Sequence, residues 1–581
     1  MTGRGLPWAT MTVSRRVTVM VALLSAVWLL TACATIPNSS APTPYKQYQT
    51  GTQSSAPQGP TPDADADIVV REYLAALLDP ANQHAEARAF MTPEAAANWD
   101  DAAGTTVVGN LEYFSTFPTP DSADRTLALR GDILGTLGTG GVFSAGEGAY
   151  EETIELTQVN GQWRISAVPA GVVMQRADLL NRYDNYDVYF FDPTGTSLAS
   201  DVRWVYRDEQ RLDVKLIEFL IAGPRAILNP GVMVDIPTTA VLTGSNDGVY
   251  TFNGVGTVDT EKATRIAAQV VWTLSAAGMA GPYQINLDGQ IIGGEGGVTS
   301  DDYESYKPGS SLGAVTSLYA LVGGRLNLVT ADRVQPVGGM LGQSRQVESA
   351  QVASATSVVA AVLEEERGRR ALYIGPLDGQ LDHVSDAQTM TSPSFEYQGT
   401  ALWLVLDGNK IVRVSRSTQT GEIAVTEIPS PEFAELEGTV SSFRVSLSGV
   451  RVAAVVDNSL YVGTVTRSRE GTRTIVNVEK IAPSLSGTVE TAEWLSNGDI
   501  LLGTSSADSP VYTVSPDGSI VQALDSGNLS GPVRSVEESG NMVFATDSRA
   551  VWQMPVTSLS GGFWREVPGL EGQQAIAISP S

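Results

Sequence analysis

The stretch VRVAAVVDNSLYVGTV, residues 450–465, decides how the larger part of this chain is read. Val452 to Val456 and Ser459 to Val462 are short β-rich runs in close succession, a sense strand and its antisense partner. Similar runs lie on both sides: Leu318 to Leu321, Val358 to Leu363, Ala371 to Ile374, Leu402 to Leu406, Ile500 to Leu502, Val511 to Val514, Met542 to Thr546 and Ala550 to Met554. Gly375-Pro376-Leu377-Asp378-Gly379, Asp407-Gly408, Asn497-Gly498 and Pro516-Asp517-Gly518 break them. The units recur at about 40–50 residues, the period of propeller blades. Residues 312–581 leave room for about six blades of that size. Ala575-Ile576-Ala577-Ile578 is a last apolar run near the chain end. It is expected to pair with the first blade, near Val315 to Leu328, so that the ring closes without a free sheet edge.

The Asp-Gly pairs admit two readings. A glycosidase needs two carboxylates facing one bond at about 5–9 Å. Hairpin turns need Asp-Gly for its left-handed backbone, and the position of these pairs between strand runs favours the turn. The charged run Glu364 to Arg370 also falls between two strands and reads as a solvated hairpin loop.

Upstream, residues 293–311 are rich in Gly, Ser, Asp and Tyr and read as a linker, with 296–311 the connecting segment proper. Before it, residues 187–295 alternate strand and helix. Val188-Tyr189-Phe190-Phe191 and Leu198 to Tyr206 are strands around the turn Asp192-Pro193-Thr194-Gly195. Leu212, Leu216, Ile217 and Leu220 form a helical stripe that stops at Gly223-Pro224. Asp259 or Thr260 can cap a long helix whose buried face is Ala263, Ile266, Ala267, Val270 and Leu274. The order EFLIAGP (218–224), IP (236–237), AAQVVWTL (267–274) and LDGQ (287–290) resembles the GerMN domain, an α/β module of spore-germination and cell-envelope lipoproteins. Its motifs read as packing and helix-stop features. A ligand groove near Trp272 is the lesser reading.

Residues 63–180 read as a small α+β domain. Val70, Tyr73, Leu74, Leu77 and Leu78 make a helical stripe behind Asp63, Asp65 and Asp67, which suit a helix N-terminus. The three aspartates lack the Gly and distal Glu of a calcium loop. Thr92-Pro93 is a cap followed by Pro at the first helical position. Asn160-Gly161 sets a hairpin that pairs Leu156 with Ile165 and Ile154 with Ala167. The order of elements resembles NTF2-like cone folds.

At the N-terminus, Arg15-Arg16 precedes an apolar run from Val17 to Leu30, and Leu30-Thr31-Ala32-Cys33 follows. A basic segment, a short apolar run and small residues describe a secretory signal peptide, residues 1–32. The run is shorter than the roughly 20 residues that span a bilayer. Met11 is an alternative start. Cys33 is the chain's single cysteine, and its setting resembles a bacterial lipobox. The resemblance implies S-diacylglycerol and N-acyl attachment at Cys33 and anchoring to the outer face of the cell membrane. Residues 34–62, with Cys33 at their head, read as a flexible tether rich in Ser, Thr, Pro and Gln.

Charge narrows the function. The chain has 37 basic and 64 acidic side chains and a net charge of −27. Loss of Arg4, Arg15 and Arg16 with a signal peptide would carry it to −30. That opposes nucleic-acid binding, which needs a basic face for phosphates. It also opposes adhesion to anionic lipid through a basic patch. His84 and His383 are the only histidines, so a histidine-based triad or metal site is poorly supported. No cofactor, metal site or catalytic constellation is expected, and the chain reads as a non-enzyme.

The full order is lipobox, tether, α+β domain, GerMN-like domain and propeller. It resembles the LpqB lipoproteins of actinobacteria over nearly the whole length. The resemblance implies a partner in the Mtr two-component system, the ectodomain of an MtrB-like sensor histidine kinase, and effects on cell-wall homeostasis and division. The alternative is a cell-wall or small-ligand binding protein using the propeller mouth or the GerMN-like groove.

Overall fold

The computed structural model describes residues 58–116, 124–246, 248–307, 309, 317–330, 333–417, 419–559 and 561–580. The signal peptide, Cys33 and the tether up to residue 57 lie outside the described residues.

The first domain opens with the helix Ala66–Ala76, with Asp65 at its N-cap and Asp67 in its first turn. Val70, Tyr73 and Leu77 are buried on its inner face. The Thr92 hydroxyl accepts from the Ala95 N–H at 3.2 Å and caps the helix Pro93–Asn98. The main path of the sheet runs Gln162–Ala167, Ala149–Val159, Asp124–Leu137, Thr105–Thr116 and Val172–Gln175. The short strand Phe143–Ala145 pairs on the side with Asp124–Leu137. Leu156 lies opposite Ile165 as expected, but Ala167 lies opposite Glu155 rather than Ile154. A bulge between Glu155 and Leu156 makes the one-residue difference. Ile154, Leu156 and Ile165 still share one core.

In the second domain, the hairpin Tyr183–Phe191 and Leu198–Tyr206 starts a few residues earlier than the sequence suggests. The helix Leu212–Ala222 stops at Gly223, whose φ of 89° a residue with a Cβ rarely adopts. A sheet follows in the order Gln290–Ile292, Gln284–Leu287, Val249–Asn253, Val241–Asn246. Its two central strands are parallel, and the helix Thr260–Ala276 makes the crossover between them. Asp259 caps that helix by accepting from the Lys262 N–H at 2.8 Å. All five residues of the expected buried face are buried, and so are Ala268, Gln269, Val271 and Thr273. The helix is covered on almost every side because the hairpin, the helix 212–222 and a later 3-10 helix pack around it.

That 3-10 helix, Ser300–Tyr306, falls in the segment read as a linker. Composition alone suggests a linker, whereas three tyrosine contacts tie residues 300–306 down. Tyr303 is buried in the domain core, Tyr306 meets Phe191 edge-on at 5.1 Å, and the Trp272 Nε1–H donates to the Tyr303 carbonyl at 3.0 Å. The Lys307 ammonium lies 4.6 Å from the centre of the Trp272 ring. The expected groove near Trp272 is thus filled by the chain itself.

The third domain has six four-stranded blades. The opening stretch is the second and third strands of the fourth blade, Arg451–Val456 and Ser459–Arg467. Asp457 and Asn458 turn between them at φ 44° and 62°, the left-handed pair of a tight hairpin. Asp407-Gly408 makes the same kind of turn, at φ 52° and 81°. The first blade runs Arg333–Pro336, Arg325–Thr330, Leu318–Val322 and Ala575–Ile578. The C-terminal strand is therefore the innermost strand of the blade that begins the ring, with Ala320 opposite Ala577.

The three domains share packing. Val450 of the propeller lies in the core of the second domain. Thr464 Oγ1 and Asn477 Nδ2 both donate to the Ile227 carbonyl at 2.8 Å. Ala145 of the first domain packs into the core between the fourth and fifth blades, beside Ile481 and Ala482.

Candidate functional site

The innermost strands of the blades ring the propeller axis. Those of the fourth, fifth and sixth blades carry the charged side chains Arg444, Glu493 and Glu537. Arg444 donates through Nε to Glu493 Oε2 at 2.6 Å and to the carbonyls of Ser392 and Phe443. Glu537 faces the same pair and accepts from the Ser579 N–H at 3.3 Å. Arg444 thus pairs directly with the half-buried Glu493, while the buried Glu537 feels its charge without a bond to it. Burial, and then Glu493, push the Glu537 carboxyl up to about 8, while Arg444 pulls the other way. Glu538 accepts from the Ser496 N–H at 2.5 Å and the Ser496 hydroxyl at 2.9 Å, which fixes the turn above.

The second domain packs against the fourth and fifth blades. Its anchor is Asp201, fully buried. Asp201 Oδ2 accepts from Arg203 Nη2 at 2.6 Å and from the Arg225 backbone N–H at 2.9 Å. Arg203 also donates to the carbonyls of Gly140, in the first domain, and Gly223. Arg451, from the fourth blade, donates to the Ser200 carbonyl at 2.7 Å. A buried carboxylate and three arginines therefore join three domains. Beside them, burial and then Asp499 push Asp187 up to about 7, with Lys307 and Arg451 opposing. Burial also pushes Asp499 up to about 6.

A polar cleft of about 170 Å³ opens at the edge of the junction. The turn Asp192–Ser197 and Ser305 form one wall. Tyr397 and Gln398 of the third blade, and the turn 447–450, Arg467 and Arg473 of the fourth, form the other.

Sequence reasoning named Cys33, which lies outside the described residues. His84 pairs with Asp101 at 3.0 Å and meets Trp99 edge-on, and His383 pairs with Asp386 at 2.9 Å, far apart in different domains. Asp63 bonds Gln162. The residues that join the domains were missed, yet they leave a trace. Arg451 interrupts a run of valines and alanines, and Asp201 and Arg203 sit inside the strand Leu198–Tyr206. A charge inside a continuous apolar run is costly unless paired, so each such interruption marks a buried partner.

Comparison with known proteins agrees with this layout. The family model described as lipoprotein LpqB, N-terminal domain, matches residues 59–180. The one described as sporulation and spore germination matches 187–293, and the LpqB beta-propeller domain matches 324–577. The Corynebacterium diphtheriae protein named lipoprotein LpqB is 35% identical over 98% of this chain and 99% of its own length. The Rhodococcus jostii protein of that name is 34% identical over 96% and 97%. The Mycolicibacterium smegmatis one is 32% identical over 97% and 100%. Among solved structures, the beta-propeller domain of Myceliophteria thermophila Cps50 (Swd1) aligns with 39% of this chain and 72% of its own, at 12% identity and a TM-score of 0.27. Three domains in one order, matched by relatives end to end, lead to one conclusion: the chain belongs to the LpqB lipoprotein family.

Proposed function

We propose that this protein is a non-enzymatic regulator held at the extracytoplasmic face of the cell membrane by lipid on Cys33, and that it modulates the Mtr sensor kinase by contact with its ectodomain. Cell-wall homeostasis and division would respond through that kinase. The observation that supports a contact role is the buried joint of Asp201, Arg203, Arg225 and Arg451. It makes three domains one body, which can present loops from several of them to a partner without an ordering cost at each encounter. Among the described residues no helix is long and apolar enough to cross a membrane.

Confinement of both proteins to one membrane face raises effective concentration, so a weak interface suffices. The chain from residue 34 onward should bind the ectodomain in the micromolar range, on the order of −8 kcal/mol. Cys33→Ala should abolish fatty-acid labelling and membrane fractionation. A form released by Cys33→Ala plus an ordinary signal-peptidase site should bind the ectodomain equally and regulate the kinase less. Absence of binding at high micromolar concentration would turn the reading towards a cell-wall or small-ligand protein.

A further inference from the structure

The cleft between the second domain and the propeller has an electrostatic character unlike that of the chain as a whole. Arg467 and Arg473 lie directly opposite each other on paired strands of the fourth blade. Like charges in that position repel, and a sheet normally avoids them. Arg413 comes from the neighbouring third blade. Glu396 is the carboxylate set among these arginines. Arg413 takes it in fork geometry, Nε to Oε1 at 2.6 Å and Nη2 to Oε2 at 2.8 Å, and the Trp403 Nε1–H adds a third bond at 2.9 Å. Arg473 is left 3.9 Å from the same oxygen, and among the described residues no carboxylate pairs with Arg467.

Asp192 does not fill the gap. Both of its oxygens turn inward to the backbone N–H groups of Thr194, Thr196 and Ser197. Asp192 keeps its charge and still acts on Arg473, so three arginines around the cleft face two carboxylates, Glu396 and Asp192, and one positive charge is in excess, in a chain whose net charge is −27. The opposite wall carries hydroxyls, from Thr196, Ser197 and Ser305, with Ser448 and the Gln398 amide at the sides. The volume is below the roughly 300 Å³ of pockets for drug-sized ligands, so the occupant is small.

We propose that this cleft binds a small sugar acid, its anionic group held between Arg467 and Arg473 and its hydroxyls bonded by the Ser and Thr side chains facing them. Arginine suits the acid because its planar fork matches a carboxylate or phosphate. The occupant is either a free acid or the terminal unit of an acidic surface polymer. The site does not depend on the kinase contact, and either can fail alone.

The test is calorimetric titration of the full-length chain in detergent with glucuronate, inorganic phosphate and glucose. Glucuronate should bind at least tenfold tighter than glucose and weaken as salt is raised. Arg467→Gln should weaken glucuronate tenfold or more with an unchanged melting temperature, since Arg467 is exposed. Equal binding of glucuronate and glucose, no binding of glucuronate at millimolar concentration, or unchanged affinity in the Arg467→Gln, Arg473→Gln double variant would overturn the proposal. Phosphate binding as tight as glucuronate would overturn the sugar class. Competition by an acidic polysaccharide at matched uronate concentration would make a polymer end the source. Glucuronate binding without such competition would make it the free acid.

Discussion

Arg451, in the fourth propeller blade, reaches across the domain boundary to the carbonyl of Ser200, 251 residues earlier, at 2.7 Å. Arg451 is buried, and burial followed by the nearby Arg225 lowers its affinity for a proton to about 10. A guanidinium is placed there at a cost, and the cost is tolerated because it holds two domains in register. Arg451→Met keeps the stem and removes the donor. It should lower stability by about 1–3 kcal/mol, the penalty for an unpaired buried carbonyl. Scanning calorimetry should show the unfolding transition broadening or splitting, with faster proteolysis between the second domain and the propeller.

Val270 is fully buried at the centre of the helix Thr260–Ala276. Val270→Asp places an unpaired carboxylate among Ile266, Val271 and Leu274, with an expected loss of about 3 kcal/mol or more. The measurement belongs on the whole chain, because Val450 of the propeller completes the same core. An unchanged melting temperature would contradict the burial.

Period and turn chemistry made the blades legible, because each β run repeats its own evidence. The cap at Asp259 and the stop at Gly223 were legible for the same local reason. The segment 293–307 was not. Its composition resembles a linker, and only the tertiary positions of Tyr303, Tyr306 and Lys307 show that it closes the second domain. The bulge at Glu155 likewise leaves no mark in a run of alternating residues. The cleft was the least visible feature. Arg467 and Arg473 look like ordinary hairpin charges until the third blade places Arg413 and Glu396 beside them.

The C-terminal strand should be indispensable. Truncation after Pro568 removes Ala575–Ile578, whose Ala577 and Ile578 are buried, together with the Ser579 N–H that bonds Glu537. The first blade would expose the unpaired edge of Leu318–Val322, a template for intermolecular pairing. Size-exclusion chromatography should show aggregation and thermal melting a large loss. A truncated chain that stays monomeric with the same melting temperature would refute closure by this strand.

Buried carboxyls at the propeller axis and at the domain joint should set the pH response. Glu537 is pushed up to about 8, Asp187 to about 7 and Asp499 to about 6, in each case first by burial. In the unfolded chain such carboxyls release their protons near pH 4. Between roughly pH 4 and pH 8 the folded protein therefore holds more protons than the unfolded chain, and stability falls as pH rises through that window. Glu396 acts in the opposite sense and lower down. Burial disfavours its charge, but Arg413 outweighs burial and holds it below the usual range, so its contribution is lost only in stronger acid. The melting temperature should accordingly be higher by a few degrees at about pH 5.5 than at about pH 8.5. Glu537→Gln keeps an acceptor for the Ser579 N–H and removes the ionisation. It should raise the melting temperature at the alkaline end, leave the acid end nearly unchanged and flatten the slope between them. A slope that survives the substitution intact would mean that Glu537 already ionises freely in the folded protein, with Arg444 shared between both carboxylates.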